Sequence, residues 1–112
     1  MKVVKRVLSP PKGSYFLFGP RGTGKSTWIK NNYPNCLYIN LLLADMLRFY
    51  SANPEKLKNI LDSRLDVQIV VIDEIQKVPE LLSTVHFLIE DGRPIQFILT
   101  GSSSRKLKKA GV

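Results

Sequence analysis

The run Gly19-Pro20-Arg21-Gly22-Thr23-Gly24-Lys25-Ser26 constrains the fold of this chain more than any other stretch. It satisfies the phosphate-binding loop pattern Gly-x-x-x-x-Gly-Lys-Ser/Thr at every specified position. An apolar segment of strand length, Tyr15-Phe16-Leu17-Phe18, precedes it, and Thr27-Trp28-Ile29-Lys30 can continue it as a helix. Strand, glycine loop and helix N-terminus together trap phosphate. The first helical turn carries N–H groups with no intrahelical partner, and the helix dipole adds partial positive charge there. Glycines accept positive φ and allow close approach, so successive amides can surround phosphate oxygens. In this reading Gly19 through Thr27 line the nucleotide phosphates. Lys25 reaches the β- and γ-phosphates, and Ser26 offers its hydroxyl oxygen to Mg²⁺. A glycine-rich turn matching by chance has odds on the order of a few per thousand, and the flanking strand and helix lower them further.

A second motif lies downstream. Ile69-Val70-Val71-Ile72 is β-branched at every position and ends in Asp73-Glu74. An apolar strand closed by two acids fits a Walker B motif. Asp73 is a hard oxygen ligand suited to Mg²⁺, usually through water. Glu74, one residue further on, can polarise a water for attack on a γ-phosphate. A buried strand that merely ends in two acids is the plainer alternative; the upstream loop at a fold-compatible distance argues against it. A small-molecule kinase would need an acceptor site and a means of excluding water, and no second substrate motif is present. The pair therefore points to nucleotide hydrolysis.

The rest of the chain supplies the frame. Residues 1–14 alternate Val with Lys and Arg and then turn through Ser9-Pro10-Pro11-Lys12-Gly13, a weakly ordered basic entry segment. Residues 15–112 form the core domain. Strands are expected at Tyr15–Phe18, Leu37–Asn40, Ile69–Ile72 and Ile95–Leu99. Helices are expected from Gly24 to about Asn32, over Leu42–Tyr50, from an Asn53 cap through Leu65, and from Pro79-Glu80 through Ile89. Alternating strands and helices predict an α/β layer fold with a mainly parallel sheet of about four strands. Ligands of such sheets sit at the carboxyl ends of strands. Ser26, Asn40, Asp73 and Thr100 all fall at such ends.

Composition narrows the remaining classes. The chain has 112 residues, 44% hydrophobic and 23% charged, enough for one globular core. No apolar run approaches the roughly 18 residues of a membrane span, and Pro10-Pro11 cut off any signal-peptide core. Cys36 is the single cysteine, so neither an internal disulfide nor a cysteine metal set is available. A cytoplasmic protein is the default. The net charge is +8, no acid precedes Asp45, and Arg105-Lys106-x-Lys108-Lys109 adds a second basic cluster. Such a distribution suits nucleic acid, a membrane surface or an acidic partner, and equally a phosphate-binding half with solvated ends.

GPRGTGKS, VVIDEIQKVP and FILTGSSSRKL, in this order over residues 15–109, resemble prokaryotic predicted ATPases of the AAA+ superfamily that carry a nuclease-like C-terminal domain. The resemblance implies a three-layer P-loop NTPase core, with Walker A at Gly19–Ser26 and Walker B at Asp73 and Glu74. It implies Mg²⁺-dependent ATP hydrolysis, adenine over guanine, and a sensor at the end of the last strand, Thr100 first and Ser102 second. Asn40 matches the place where many such proteins keep a polar residue that restrains the catalytic Glu. Members of this family continue through a fifth strand, a helical lid and a further domain. The expectation is thus an N-terminal nucleotide-binding part lacking the lid, with an open sheet edge beside Tyr15–Phe18. Arg93 and Arg105 remain without a motif-assigned role. An arginine finger is worth roughly 10³–10⁵ in rate, so weak turnover is expected. The rival reading is a nucleotide-dependent switch or nucleic-acid-associated module. A homo-oligomer is compatible with either.

Overall fold

The structure, a computed structural model, describes residues 2–4, 12–18 and 25–101. Among these, β1 (Lys2–Val4), β2 (Tyr15–Phe18), β3 (Leu37–Asn40), β4 (Ile69–Asp73) and β5 (Gln96–Gly101) form one sheet. The helices are α1 (Lys25–Asn32), α2 (Ala44–Ala52), α3 (Lys56–Ser63) and α4 (Leu81–Glu90), with a single 3₁₀ turn over Ile75–Lys77. The spatial order is β1-β2-β5-β4-β3, and every pairing is parallel.

This order decides which helix covers which face. The chain leaves β2 through α1, skips two strand positions and enters at β3, then returns through β4 to β5. Parallel crossovers are right-handed, so connections running in opposite directions along the sheet lie on opposite faces. The packing agrees. Ile29 and Tyr33 from α1 and its end pack with Tyr15, Leu17, Val71 and Ile98. Leu57 and Leu61 of α3 and Leu81, Leu82, Val85 and Leu88 of α4 pack with Phe16, Ile39, Val70, Ile72, Phe97 and Leu99. Strand residues alternate between the two sets because successive side chains point to opposite faces. Both faces are covered, which is why β4 and β5 read as near-continuous apolar runs. On the α1 face a buried pair of hydroxyls, Tyr15 and Tyr33, hydrogen-bond at 3.1 Å. Burial and that bond push the Tyr15 phenol pKa far up.

Four expectations change. The sheet has a fifth strand, because Lys2–Val4, read from sequence as weakly ordered, pairs with β2 from Lys2 opposite Tyr15 to Val4 opposite Leu17. Three residues are too few to show a period, yet they suffice on an edge, where only one neighbour is needed. The edge beside Tyr15–Phe18 is therefore covered. Asn53 does not cap α3; its N–H closes α2 on the Phe49 carbonyl, and Pro54-Glu55 form a turn before Lys56. Leu42 and Leu43 precede α2 and are exposed, leaving Tyr50 as its buried residue with Met46 and Leu47 half-buried. Leu65 lies past the end of α3 and is 90% exposed. No helix among the described residues is long and apolar enough to cross a membrane.

Candidate functional site

Strand parity places the site. On β4, Val71 faces α1, so Asp73 two residues later faces the same way; on β5, Ile98 faces α1, and so does Thr100. The pairs Ile72–Leu99 and Asn40–Asp73 bring the ends of β5, β4 and β3 level. The N-terminus of α1 lies over these ends. Its first turn contains no acidic residue, so nothing there competes with an anion for the helix dipole.

Ser26 on α1 donates from Oγ to Asp73 Oδ2 at 3.2 Å. Thr100 donates from Oγ1 to Asp73 Oδ1 at 2.5 Å and accepts the Glu74 backbone N–H at 3.1 Å. Tyr38 on β3 donates its hydroxyl to Asp73 Oδ2 at 2.5 Å and lies 3.2 Å from Ser26 Oγ. Asp73 is 4%, Glu74 1% and Thr100 0% exposed, so the Thr100 contacts are buried, while those of Tyr38 and Ser26 to Asp73 are part-buried with Ser26 itself exposed. A buried carboxylate is tolerated only when its oxygens are bonded, and three hydroxyls from three other elements meet that need. Burial first, and the bond to Asp73 next, raise the Tyr38 phenol pKa and keep it a donor.

Glu74 leaves β4 in the left-handed region at φ 62, the only non-glycine residue to do so among those described. Such a conformation costs of order 1–3 kcal/mol and persists where neighbours over-determine it. Here the amide is fixed by Thr100, and the carbonyl accepts Lys77 N–H at 3.0 Å to start the 3₁₀ turn. The turn presents Gln76, whose Nε2 donates to Glu74 Oε2 at 3.1 Å.

Lys25, Ser26, Asp73, Glu74 and Thr100 come together at one end of the sheet. Lys25 Nζ approaches the Gly101 carbonyl at 3.5 Å. Thr27 is exposed. Asn40 accepts the Leu42 N–H on its side-chain oxygen at 3.0 Å, an Asx turn that ends β3, while the amide bonded to Glu74 is that of Gln76. Arg93 is tied to Asp62 and to Asp91, on the opposite side of the chain's topology from α1. Gly19, Pro20, Arg21, Gly22, Thr23, Gly24, Ser102, Arg105 and the basic run after it lie outside the described residues.

Tyr38 and Gln76 were missed by sequence reasoning. Tyr38 passed for a strand aromatic, and nothing short of the β3–β4 register shows that it reaches Asp73. Gln76 follows the two acids closely, but only the left-handed turn at Glu74 brings its amide back to the carboxylate.

A search of curated proteins gave no match. The family model described as AAA domain matches residues 12–112. That match spans every described element from β2 to β5, and the chain belongs to the AAA domain family, nucleotide-binding proteins of the ATPase type.

Proposed function

We propose that this chain binds Mg·ATP at the N-terminus of α1 and hydrolyses it. The observation that carries the reading is the meeting of Ser26 Oγ and Asp73 Oδ2, 3.2 Å apart though 47 residues separate them in sequence. Both are hard oxygens of the kind Mg²⁺ prefers. The donor set thus fits the ion, with Ser26 and Asp73 to hold it. Held by Ser26 and Asp73, such an ion would supply charge neutralisation at the phosphates.

The chain's own groups take the remaining roles. Lys25, the first residue of α1, pairs its ammonium with the β- and γ-phosphates. The amides of Gly19–Gly24 wrap the phosphates, and Thr27 follows at the exposed start of the helix. Glu74 orients a water for in-line attack and accepts its proton. Its carboxylate is steadied by Gln76 and its backbone by Thr100. Thr100 is the sensor of this reading, linking the metal-side acid to the water-side acid through one hydroxyl. Because its hydrogen goes to Asp73, it acts through those two residues.

Titration of the protein with Mg·ATP, and with Mg·GTP alongside, followed by phosphate release, tests the proposal. Saturable ATP binding with turnover above the uncatalysed rate is expected. Failure to bind either nucleotide overturns it; binding with no release leaves a nucleotide switch in place of an enzyme.

A further inference from the structure

We infer that Tyr38 is a positioning residue for the cation seat: its phenol hydroxyl fixes Ser26 Oγ and Asp73 Oδ2 relative to each other, and so sets how tightly a divalent cation is held beside the nucleotide. The inference rests on the nucleotide reading given above and adds a residue that no phosphate-loop motif contains.

The three oxygens form a small triangle, with Tyr38 to Asp73 Oδ2 at 2.5 Å and Ser26 Oγ 3.2 Å from each of the other two. Each comes from a different element: α1, β3 and β4. Among the described residues no backbone hydrogen bond joins α1 to the sheet, and the contacts that link Ser26 to β3 and β4 are made by side chains. Tyr38 supplies the tie. Its register partner on β4 is Val71, two residues short of Asp73. The hydroxyl must therefore reach about 6–7 Å along the strand, which tyrosine can do and serine or threonine cannot.

The ring that carries the hydroxyl is itself held. It packs against the cluster of Ile29, Val71 and Ile98 under α1. The Lys30 ammonium lies 5.5 Å from its centroid, within cation–π range on the same helix as Ser26. A rigid aromatic with few torsions places its hydroxyl at small entropic cost. Outer partners of this type orient metal-binding oxygens, and their loss typically lowers metal affinity 10–100-fold.

The test is calorimetry on the parent protein and Tyr38→Phe, which keeps the ring and its packing. ADP is titrated first in EDTA, then Mg²⁺ is titrated at saturating ADP. The expected result is metal-free ADP affinity within about twofold of the parent and Mg²⁺ affinity lower by at least tenfold. In an Asp73→Asn background, Tyr38→Phe should lower Mg²⁺ affinity no further, since both changes break one interaction. Equal losses in EDTA and in Mg²⁺ would make Tyr38 a general structural residue and overturn the inference. Unchanged or tighter Mg²⁺ binding would overturn it as well. If the parent binds no ADP under either condition, the nucleotide reading fails and takes this inference with it. As an independent check, the parent is labelled with ring-¹³C tyrosine. The signal missing from Tyr38→Phe must shift when Mg²⁺ is added to the ADP complex; a signal indifferent to Mg²⁺ counts against the inference.

Discussion

Thr100 and Asp73, on adjacent strands, share a 2.5 Å hydrogen bond in which the threonine hydroxyl is donor, and the same oxygen accepts the Glu74 amide. One buried hydroxyl therefore serves both acids. Thr100→Val keeps the shape and leaves Asp73 Oδ1 and the Glu74 N–H each short of a partner. Leaving a buried polar group unsatisfied costs about 1–3 kcal/mol. Urea denaturation of Thr100→Val should show a loss of that order, while Thr100→Ser should retain most of the stability. Equal losses for both would mean that the methyl group, not the hydroxyl, matters.

Glu74 and Gln76 make a second such pair, with the amide donating at 3.1 Å. Glu74→Gln removes the proposed base but keeps size and polarity, so ATP binding should stay within a few-fold of the parent. Phosphate release should fall by 10²–10⁴, roughly the range for loss of a general base. Gln76→Ala leaves the carboxylate in place but unsteadied, and its kcat should lie between the parent and Glu74→Gln. A Gln76→Ala enzyme as fast as the parent would show that the amide has no part in orienting the acid.

Much of this arrangement was legible in the chain, and the reason is local. Lys25 and Ser26 are fixed by a contiguous motif, and Asp73 and Glu74 by the strand they terminate; neither needs a partner to be recognised. The central strands were equally plain, since burial on both faces leaves them apolar throughout. What escaped depends on contacts distant in sequence. Tyr38 is one aromatic among four tyrosines until β3 is known to lie beside β4. The strand order itself turns on the α1 crossover skipping two positions, and no residue pattern encodes that. Lys2–Val4 became a strand only because β2 offers it an edge. The Asn53-Pro54-Glu55 cap signal was real as local chemistry, but the chain used Asn53 to finish α2.

Removal of Lys25 is expected to separate binding from fold. The residue opens α1, is half-exposed, and approaches the Gly101 carbonyl with its ammonium at 3.5 Å. Lys25→Ala should unfold at nearly the parent temperature, since alanine is the stronger helix former. Mg·ATP binding, followed by calorimetry, should fall below detection. Retained affinity would refute the assignment of the phosphate site.

Away from the site, Asp62 near the end of α3 meets Lys58 one turn earlier and Arg93 from the turn before β5. Its carboxyl pKa is held below the usual aspartate value, first by the hydrogen bond from Lys58 and then by that from Arg93. A lowered folded value means the stabilisation is fully present above the unfolded aspartate pKa of about 3.9. It is lost as pH falls through the folded value. Asp62 is exposed, Lys58 partly so, and Arg93 is half-buried, so salt screens the cluster. Asp62→Asn should therefore be less stable than the parent at neutral pH in low salt. Its deficit should shrink when salt is raised, and again as pH drops below the ordinary carboxylate range. Urea unfolding across that range reads the effect; a deficit unchanged in acid would assign it to packing. Arg93→Ala should repeat the pattern while leaving nucleotide turnover at the parent rate, because Arg93 is tied to Asp62 and Asp91 ahead of β5, at the other end of that strand from Thr100.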